Sequence, residues 1–488
     1  MDNDKRLVAQ GIFWSSVKMI VEQSFSFIVK LLLAKLLFPE QFGIVGMATV
    51  FTGFVQVLTD LGIGAALVQK REEDVKPVHF YTAFSTGVGL SVCLFIIMAF
   101  IIAPFAAIFY KQDILRTLIP IISIGILLSP INLVNKAQLV RRMDFKSISK
   151  IENISSIVAG LIALLMAYLG AGVWSLALMP VITILMAAPQ YFRKTKWLPK
   201  LIWDKVAFKD IFGFGIYTTG TNIVSYLINN IDYLLIGKLL SAQLLGAYTL
   251  AFVLTDSFRA KIMSVMNSVM YPFYSKKQND PTAIRGWYLK VIEYNSIAVY
   301  PLMVLFLLFG RDIVIFFFGD KWEDSIAPLK ILACSVFFHM MVNSNTVLIR
   351  GLGRPKLELK LQVFKGIIFM SSLYIFIVNW GVIGAAFAVL FNKIIAVIIA
   401  QYTFKYLLSL QISTGQFLKA MKVPMISSAI AGAMGYVLSE IMGWHTILCI
   451  AVVGAAYIGA VWMLMKDEII NQFNQFKGLR KGKVVNVS

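Results

Sequence analysis

Charged residues are scarce in this chain of 488 residues. Asp, Glu, Lys and Arg make up 14% of it, whereas 59% of the residues are hydrophobic, and the mean hydropathy is +0.78. A soluble globular protein is closer to 25% charged and 45–50% apolar. Because no aqueous core is large enough to hold this apolar excess, the composition excludes a soluble enzyme and predicts a protein embedded in a membrane.

Cysteine and histidine are also rare, with three residues of each kind. They are far apart in the sequence, and none has the spacing of a metal-ligand motif. The sequence also lacks the G-x-x-x-x-G-K-[ST] pattern that cradles nucleotide phosphates. We therefore expect no structural metal site, no cofactor and no ATP-driven activity of this chain alone.

Acidic residues are outnumbered, with 25 Asp and Glu against 45 Lys and Arg, for a net charge of +20. In a soluble protein this excess would raise the question of nucleic acid. Here the basic residues instead alternate between successive connections, 31 on one side of the membrane and six on the other. The positive-inside rule then predicts that both termini are cytoplasmic, and we expect no nucleic-acid partner.

Apolar runs, broken at charge clusters and at Pro or Gly turns, predict fourteen membrane-spanning helices of about 20 residues or more. They lie at about 10–36, 41–67, 80–108, 117–139, 151–169, 173–192, 211–236, 245–272, 288–310, 326–349, 361–379, 381–404, 421–441 and 446–465. This leaves no room for a sizeable domain outside the membrane.

The two halves of the chain resemble each other weakly. The segment from Lys35 recurs from Lys238, the basic loop at Arg141 recurs at Arg350, and Gly172 matches Gly381. We therefore predict an all-α polytopic membrane protein with two pseudo-symmetric six-helix lobes around a central cavity, as in transporters, plus two C-terminal helices. The predicted parts are residues 1–203 (first lobe), 204–410 (second lobe), 411–465 (helices 13 and 14) and 466–488 (a basic cytoplasmic tail).

Ionisable and amide side chains inside these helices are candidates for function, because a charge at the centre of a membrane helix costs about 2.5–3.5 kcal/mol on insertion scales. In helices 1 and 7 they recur every three or four residues, which places each set on one helix face. The candidates for a substrate cavity are Lys18, Lys30, Asn222, Asn229, Arg259 and Lys393. The carboxylates that could couple transport to protons or sodium are Glu22, Asp60 and Asp232.

Plainer interpretations stay open for several of these residues. Lys18 and Glu22 are four residues apart and could form a salt bridge that serves only helix packing, and the same caution applies to Asp256 with Arg259. Lys393 could bind an anionic substrate group or pair with a carboxylate of another helix. Three further lysines lie near predicted span ends and are expected to extend to the surface: Lys136, Lys330 and Lys365.

Several motifs resemble a known family. They are Phe13-Trp14-Ser15, Leu37-Phe38-Pro39-Glu40-Gln41-Phe42-Gly43, Asp60-Leu61-Gly62-Ile63-Gly64, Arg141-Arg142-Met143-Asp144-Phe145-Lys146, Gly172-Val173-Trp174-Ser175-Leu176, Asn229-Asn230-Ile231-Asp232 and Gly353-Arg354-Pro355. From about residue 7 to 410 the chain resembles the polysaccharide-exporter family of the multidrug/oligosaccharidyl-lipid/polysaccharide flippase superfamily, and within it the colanic-acid type of lipid-linked oligosaccharide flippase.

The resemblance implies a multi-pass protein of the bacterial inner membrane. Its implied activity is to move an undecaprenyl-diphosphate-linked oligosaccharide from the cytoplasmic to the periplasmic leaflet for capsule, exopolysaccharide or O-antigen synthesis. It also implies alternating access with basic cavity residues that hold the diphosphate, although no family motif assigns Lys18, Lys30, Arg259 or Lys393 to that role. Besides membrane lipids, partners could include a polysaccharide polymerase and export proteins; the sequence identifies neither these nor the glycan.

Three rival interpretations are weaker. A multidrug cation exporter also has paired six-helix lobes, but it would typically stop at twelve helices and would bind cations through acidic residues. A membrane polysaccharide polymerase or ligase would need a substantial outer loop, and the longest here, about 311–325, is short. A scaffold without transport activity would leave the membrane-embedded charges unexplained.

Overall fold

Helices make up nearly all of the protein. The structure is a computed structural model that describes residues 2–60, 63–69, 73–408, 410 and 412–480, and no strand occurs within these ranges. Some side chains inside the helices, chiefly those of residues 2–9, 211–222 and 471–480, are not described.

The first ten helices lie before residue 277. They are α1 (Asp2–Leu36), α2 (Pro39–Asp60), α3 (Ile63–Gln69), α4 (Pro77–Ile97), α5 (Ala103–Tyr110), α6 (Leu115–Arg141), α7 (Phe145–Tyr168), α8 (Val173–Thr195), α9 (Lys205–Leu239) and α10 (Ala242–Lys276). The remaining helices are α11 (Pro281–Phe318), α12 (Ile326–Val342), α13 (Asn345–Gly351), α14 (Pro355–Tyr402), α15 (Thr414–Tyr436) and α16 (Thr446–Arg480).

The predicted multi-pass, all-α class is confirmed, whereas the count of fourteen spans is not. Within the described residues, ten helical stretches are long and apolar enough to cross a membrane. Helices α1, α9 and α10 are not among them, and α10 has Asp256, Arg259 and Lys261 close together. One of the ten, Pro355–Leu407, contains two predicted spans in a single stretch of 53 residues.

Several helices are interrupted where the sequence pattern predicts continuity. A π-helical turn at Met98–Ile102 joins α4 to α5, just before Pro104. The predicted helix at 326–349 is broken between α12 and α13. The kink of α14 at Gly381, whose φ of 59° favours glycine, instead falls at the predicted boundary between the spans 361–379 and 381–404. Hydropathy does not reveal the first two breaks, because it registers apolar content and not backbone hydrogen bonding.

The chain divides into two compact units, the first comprising residues 1–250 and 373–382 and the second 251–372 and 383–488. These units come from spatial contacts, whereas the predicted lobes at 1–203 and 204–410, with 411–465 and 466–488, come from sequence repeats. The lobe boundaries therefore stay a prediction.

In the first unit, α7 packs against both α1 and α8, and α6 packs against both α4 and α8. The contact between α1 and α7 is tight at Gly160, where an added Cβ would lie 2.6 Å from the ring of Phe25 and 2.9 Å from Val29. Small residues allow this close approach. It matters in a membrane because helix association there is driven largely by van der Waals packing.

In the second unit, α11 is the central helix and packs against α12, α15 and α16. Tyrosines join it to its neighbours. Tyr300 Oη donates a hydrogen bond of 2.9 Å to the carbonyl oxygen of Phe337 in α12, and Tyr457 Oη in α16 donates one of 3.1 Å to Ile297. Each bond satisfies a hydroxyl in an otherwise apolar bundle.

Local backbone geometry supports the internal repeat. Gly172 (φ 57°, ψ −125°) and Gly381 (φ 59°, ψ −138°) adopt the same uncommon conformation, each just before a helical segment that begins with valine. The two basic loops also match, because a residue in the left-handed region, Met143 in one and Gly353 in the other, precedes the first helical turn by two positions.

A reciprocal contact joins the N-terminal ends of α2 and α10. A Cβ on Gly43 would overlap the carbonyl oxygen of Ala242, and a Cβ on Gly246 would overlap the carbonyl oxygen of Pro39. Pro39 and Ala242 are the first residues of their helices, and each glycine lies four residues further on. Only glycine permits the backbones to approach this closely.

We expect Gly43→Ala and Gly246→Ala each to lower the apparent melting temperature of the purified protein, because backbone atoms must move to admit the methyl group; overpacking costs about 1–3 kcal/mol. Gly89→Ala is the matched control, since a Cβ there meets nothing within 4 Å. Equal melting temperatures for all three variants would contradict the close contact.

Candidate functional site

A cavity of about 870 Å³ lies within the first unit. Helices α1, α2, α3, α6, α7 and α8 surround it. Its ionisable lining residues are Lys18, Glu22, Lys136, Glu152 and Tyr191, and its other polar lining residues are Gln56, Thr59, Ser129, Asn132, Ser155 and Thr183. A second space of about 300 Å³ shares Lys18, Glu22 and Lys136 with it. The cavity thus places charged and hydrogen-bonding groups inside a bundle of apolar helices.

Glu152 is the central charge of this cavity. Its carboxylate forms ion pairs with Lys18 and with Lys136, the latter at 2.7 Å between Nζ and Oε1. Tyr191 Oη donates a further hydrogen bond of 3.0 Å to Oε1. Glu22 is more distant, with its Oε2 4.0 Å from Lys18 Nζ. One carboxylate therefore holds two lysines that come from different helices.

The position of Glu152 follows from the start of α7. Asp144 caps this helix by accepting hydrogen bonds from the backbone N–H of Ser147 (3.1 Å) and from its hydroxyl (2.8 Å). Although burial acts to raise the pKa of Asp144, the Ser147 hydrogen bonds and the Lys194 ammonium group lower it overall. Glu152 lies two turns beyond this cap, on the side of α7 that packs against α1 and α8.

Sequence reasoning did not single out Glu152. It lies at the second position of the predicted helix 151–169, where a charge needs no special explanation, and its own helix carries no basic partner at helical spacing toward the cavity. Lys136 was expected to extend to the surface but contacts Glu152 instead. Both partners are visible only once α1, α6 and α7 are packed together.

The predicted stripe of α1 divides between two environments. Lys18 and Glu22 line the cavity, whereas Lys30 is exposed and is not among the lining residues. Asn229 of the helix 7 stripe is also exposed. The side chains of Asn222 and Asp60 lie outside the described part of the protein, so their predicted roles stay predictions.

Asp232 is buried, with 4% of its surface exposed. It accepts a hydrogen bond of 2.9 Å from Tyr248 Oη and one of 3.0 Å from the backbone N–H of Tyr233. These donors stabilise the carboxylate in place, which is the arrangement expected of a group that supports the structure of α9 and α10.

In the second unit, Arg259 is the centre of a basic cluster. It is buried, its Nε donates to Asp256 Oδ1 at 3.0 Å, and its Nη1 lies 3.4 Å from His339 Nε2. Lys365 and Lys393 lie close enough to His339 to act on it electrostatically. The predicted candidates Arg259 and Lys393 are therefore near one imidazole.

The family motifs serve the fold more than the cavity. Gln41 Oε1 accepts a hydrogen bond of 3.0 Å from the backbone N–H of Phe38, and the side-chain amide nitrogen of Gln41 packs against Gly172. Arg141 Nη1 donates to the carbonyl oxygen of Leu67 at 2.7 Å. Arg354 donates in the same way to the carbonyl of Leu407. These residues satisfy helix ends and turns, where backbone groups lack partners.

Comparison with solved structures identifies the fold. The structure of lipid II flippase MurJ in an inward closed conformation aligns with a TM-score of 0.70 and 14% identity, covering 94% of this chain and all of that one. An inward-facing multidrug resistance MATE family transporter of the MOP superfamily aligns with a TM-score of 0.63 and 15% identity, covering 82% of this chain and 98% of the other. The fold is therefore that of this class of membrane transporters.

Sequence comparison defines the family. Residues 32–327 match the family described as "Polysaccharide biosynthesis protein". The teichuronic acid biosynthesis protein TuaB of Bacillus subtilis (strain 168) is 24% identical over 445 residues, 89% of this chain and 90% of that protein. The lipopolysaccharide biosynthesis protein WzxC of Escherichia coli (strain K12) is 23% identical over 398 residues, 80% of each chain.

The chain belongs to this family of polysaccharide biosynthesis proteins, and the family resemblance seen in its motifs is confirmed. A third relative is the succinoglycan biosynthesis transport protein ExoT of Rhizobium meliloti (strain 1021), 24% identical over 338 residues, 68% of this chain and 66% of that protein.

We expect Lys136→Met and Glu152→Gln to be non-additive in the free energy of unfolding, measured by SDS titration in mixed micelles, with a coupling energy of about 1–3 kcal/mol. The reason is that removing either partner leaves the other charge poorly compensated in the cavity. Lys277 with Asp280, a half-exposed pair at 3.8 Å, is the control and should couple by less than about 0.5 kcal/mol. Full additivity at Lys136 and Glu152 would refute the ion pair.

Proposed function

We propose that this protein is a flippase that moves an undecaprenyl-diphosphate-linked oligosaccharide from the cytoplasmic to the periplasmic leaflet of a bacterial inner membrane, for the synthesis of a surface polysaccharide. The observation that carries the proposal is the cavity in which Lys18 and Lys136 face one carboxylate, in a chain of a polysaccharide biosynthesis family. Both termini would lie in the cytoplasm, as the distribution of basic residues indicates.

The physical problem for such a protein is the diphosphate. Two negative charges and several sugars cannot cross about 30 Å of hydrocarbon unaided. Ammonium groups in a cavity replace part of the water that stabilises phosphate. The volume of about 870 Å³ is within the range of about 300–1,000 Å³ typical of small-molecule sites, so it can hold the diphosphate with the first sugars, and the amides of Gln56 and Asn132 offer hydrogen bonds to sugar hydroxyls.

The relatives support the same substrate class. Their names refer to teichuronic acid, lipopolysaccharide and succinoglycan, and one is named a transport protein. The fold is shared with a protein titled lipid II flippase. The polymer differs from one name to the next, which fits a common carrier lipid with different glycans. The proposal therefore commits to the lipid diphosphate and not to one sugar sequence.

A multidrug cation exporter is the second candidate, because the fold is also that of a MATE family transporter. The cavity charges favour the flippase. A cationic drug needs an unpaired carboxylate, whereas here Glu152 is shared by two lysines and Glu22 lies near one of them. An organic cation entering this cavity would have to compete with Lys18 and Lys136 for these carboxylates.

The flippase is tested by reconstituting it with a fluorescent undecaprenyl-diphosphate oligosaccharide in proteoliposomes and measuring the fraction translocated. We expect Lys18→Ala and Lys136→Ala each to slow translocation at least tenfold, because each removes a cavity cation that can hold the diphosphate. Arg311→Ala is the control, since this residue is exposed and pairs only with the exposed Glu323 at 3.2 Å among the contacts described. Efflux of a cationic dye without translocation of the sugar lipid would support the exporter instead.

Coupling to an inward gradient of protons or sodium is part of the proposal, through Glu22, Asp60 or Asp232. The contacts favour Glu22, which lines the cavity, over Asp232, whose oxygens already accept hydrogen bonds from Tyr248 and Tyr233.

We expect translocation by the wild type to rise severalfold when an inward gradient of the coupled ion, proton or sodium, is imposed. Glu22→Gln should abolish this rise. Asp232→Asn should keep it while lowering the melting temperature. If wild-type translocation were indifferent to both gradients, coupling would be refuted while flipping itself would stand.

A further inference from the structure

The Glu152 carboxylate occupies a position that an anionic substrate group would otherwise take. It contacts the ammonium groups of Lys18 and Lys136 at the same time, one through each oxygen. The side chain of Glu152 is 17% exposed, against 27% for Lys18 and 44% for Lys136. The lysines are thus open to the cavity on one side and are held by a carboxylate on the other.

We propose that Glu152 is a built-in competitor of the substrate: it is the shared counter-ion of Lys18 and Lys136 in the empty cavity, and the substrate diphosphate displaces it from both lysines. This inference rests on the proposed function and concerns how the same cavity binds the substrate diphosphate. The displaced carboxylate keeps a partner, because Tyr191 Oη donates to it at 3.0 Å from α8 and does not depend on the lysines.

The charges favour such an exchange. A diphosphate esterified at both ends carries two negative charges, which match the two ammonium groups, whereas Glu152 offers only one. Without Glu152, two lysine charges would remain poorly compensated in a cavity inside the bundle, which is costly. With it, the empty site is stable, and substrate binding is weakened by the competition. Weakened binding matters because a transporter must also release its cargo on the far side.

The other titratable groups around Glu152 do not take over this role. Glu22 of α1 lies 4.0 Å from Lys18 and forms no ion pair with Lys136 in the described contacts. Lys18 and Lys136 are the cations from α1 and α6, and Tyr191 is the hydroxyl from α8. Substitution of Glu152 by Gln is therefore expected to free Lys136 and to leave Lys18 with only the distant Glu22, whereas loss of the Glu22 charge leaves both contacts with Glu152 in place.

The test measures binding of undecaprenyl diphosphate, with the uncharged alcohol undecaprenol as comparison, to the full-length protein in nanodiscs. We expect Glu152→Gln to bind the diphosphate about five- to tenfold more tightly than the wild type and to translocate the sugar lipid more slowly. Glu22→Gln, the matched control from the same cavity, should change the affinity less than twofold. Lys18→Ala and Lys136→Ala should weaken binding at least tenfold.

A second variant keeps the test decisive. If Glu152→Gln does not fold, Glu152→Asp replaces it: the shorter carboxylate cannot contact both lysines and should also bind the diphosphate more tightly than wild type.

The outcomes separate this inference from the proposed function. If the wild type neither binds undecaprenyl diphosphate nor translocates the sugar lipid, the proposed function fails. If the wild type does both but Glu152→Gln binds the diphosphate equally or more weakly, the function stands and the competitor is refuted. Equally tighter binding of undecaprenol and of the diphosphate by Glu152→Gln would also refute it, since a competing carboxylate opposes only an anionic ligand.

Discussion

The pairing of one carboxylate with two ammonium groups is the constraint on which the first compact unit depends. A lone charge inside a bundle of apolar helices is costly, and the cost falls only when the charge is paired and hydrogen-bonded. Glu152 meets this requirement with partners from three other helices, since Lys18 comes from α1, Lys136 from α6 and Tyr191 from α8. The same contacts that make the charges tolerable therefore also hold four helices in register around an open cavity.

The structure separates the residues that build the fold from those that supply charge. Several residues that carry the family resemblance lie at helix ends and turns, as Gln41, Gly172 and Arg141 illustrate, and the hydrogen bonds of Gln41 and Arg141 go to backbone groups. The cavity charges belong to none of these motifs. The charges of the cavity therefore come from segments other than those that carry the resemblance.

Much of the fold was predictable because helix formation in a membrane depends on local composition. Apolar runs identify the helices, and the basic loops between them suggest their orientation. The break at Met98–Ile102 was not predictable from hydropathy, since the residues on both sides are equally apolar, and the break at Asn343 was missed because the polar residues there interrupt the apolar run only briefly. Gly172 and Gly381 could be matched from sequence alone, but their shared positive φ could not be derived from the match.

The candidate site was predictable only in part. Lys18 and Glu22 were found because both lie on one face of one helix, which is a local property. Glu152 and Lys136 were missed as site residues because their importance comes from each other, across more than one helix. Buried Asp232 stands out in the sequence as clearly as Lys18 does, but its hydrogen bonds with Tyr248 and with the backbone of Tyr233 became visible only in the fold, and its coupling role stays a prediction. Spacing reveals which residues share a face, but not what that face meets.

The reciprocal contact at Gly43 and Gly246 bears on how the chain arose. Each glycine accommodates the first residue of the helix that carries the other, so the two contacts are related by an approximate twofold rotation. In a symmetric pair of identical subunits, one glycine at this position would have generated both contacts at once. An ancestor of half the present length could therefore have assembled as a homodimer through this patch before its gene was duplicated and joined.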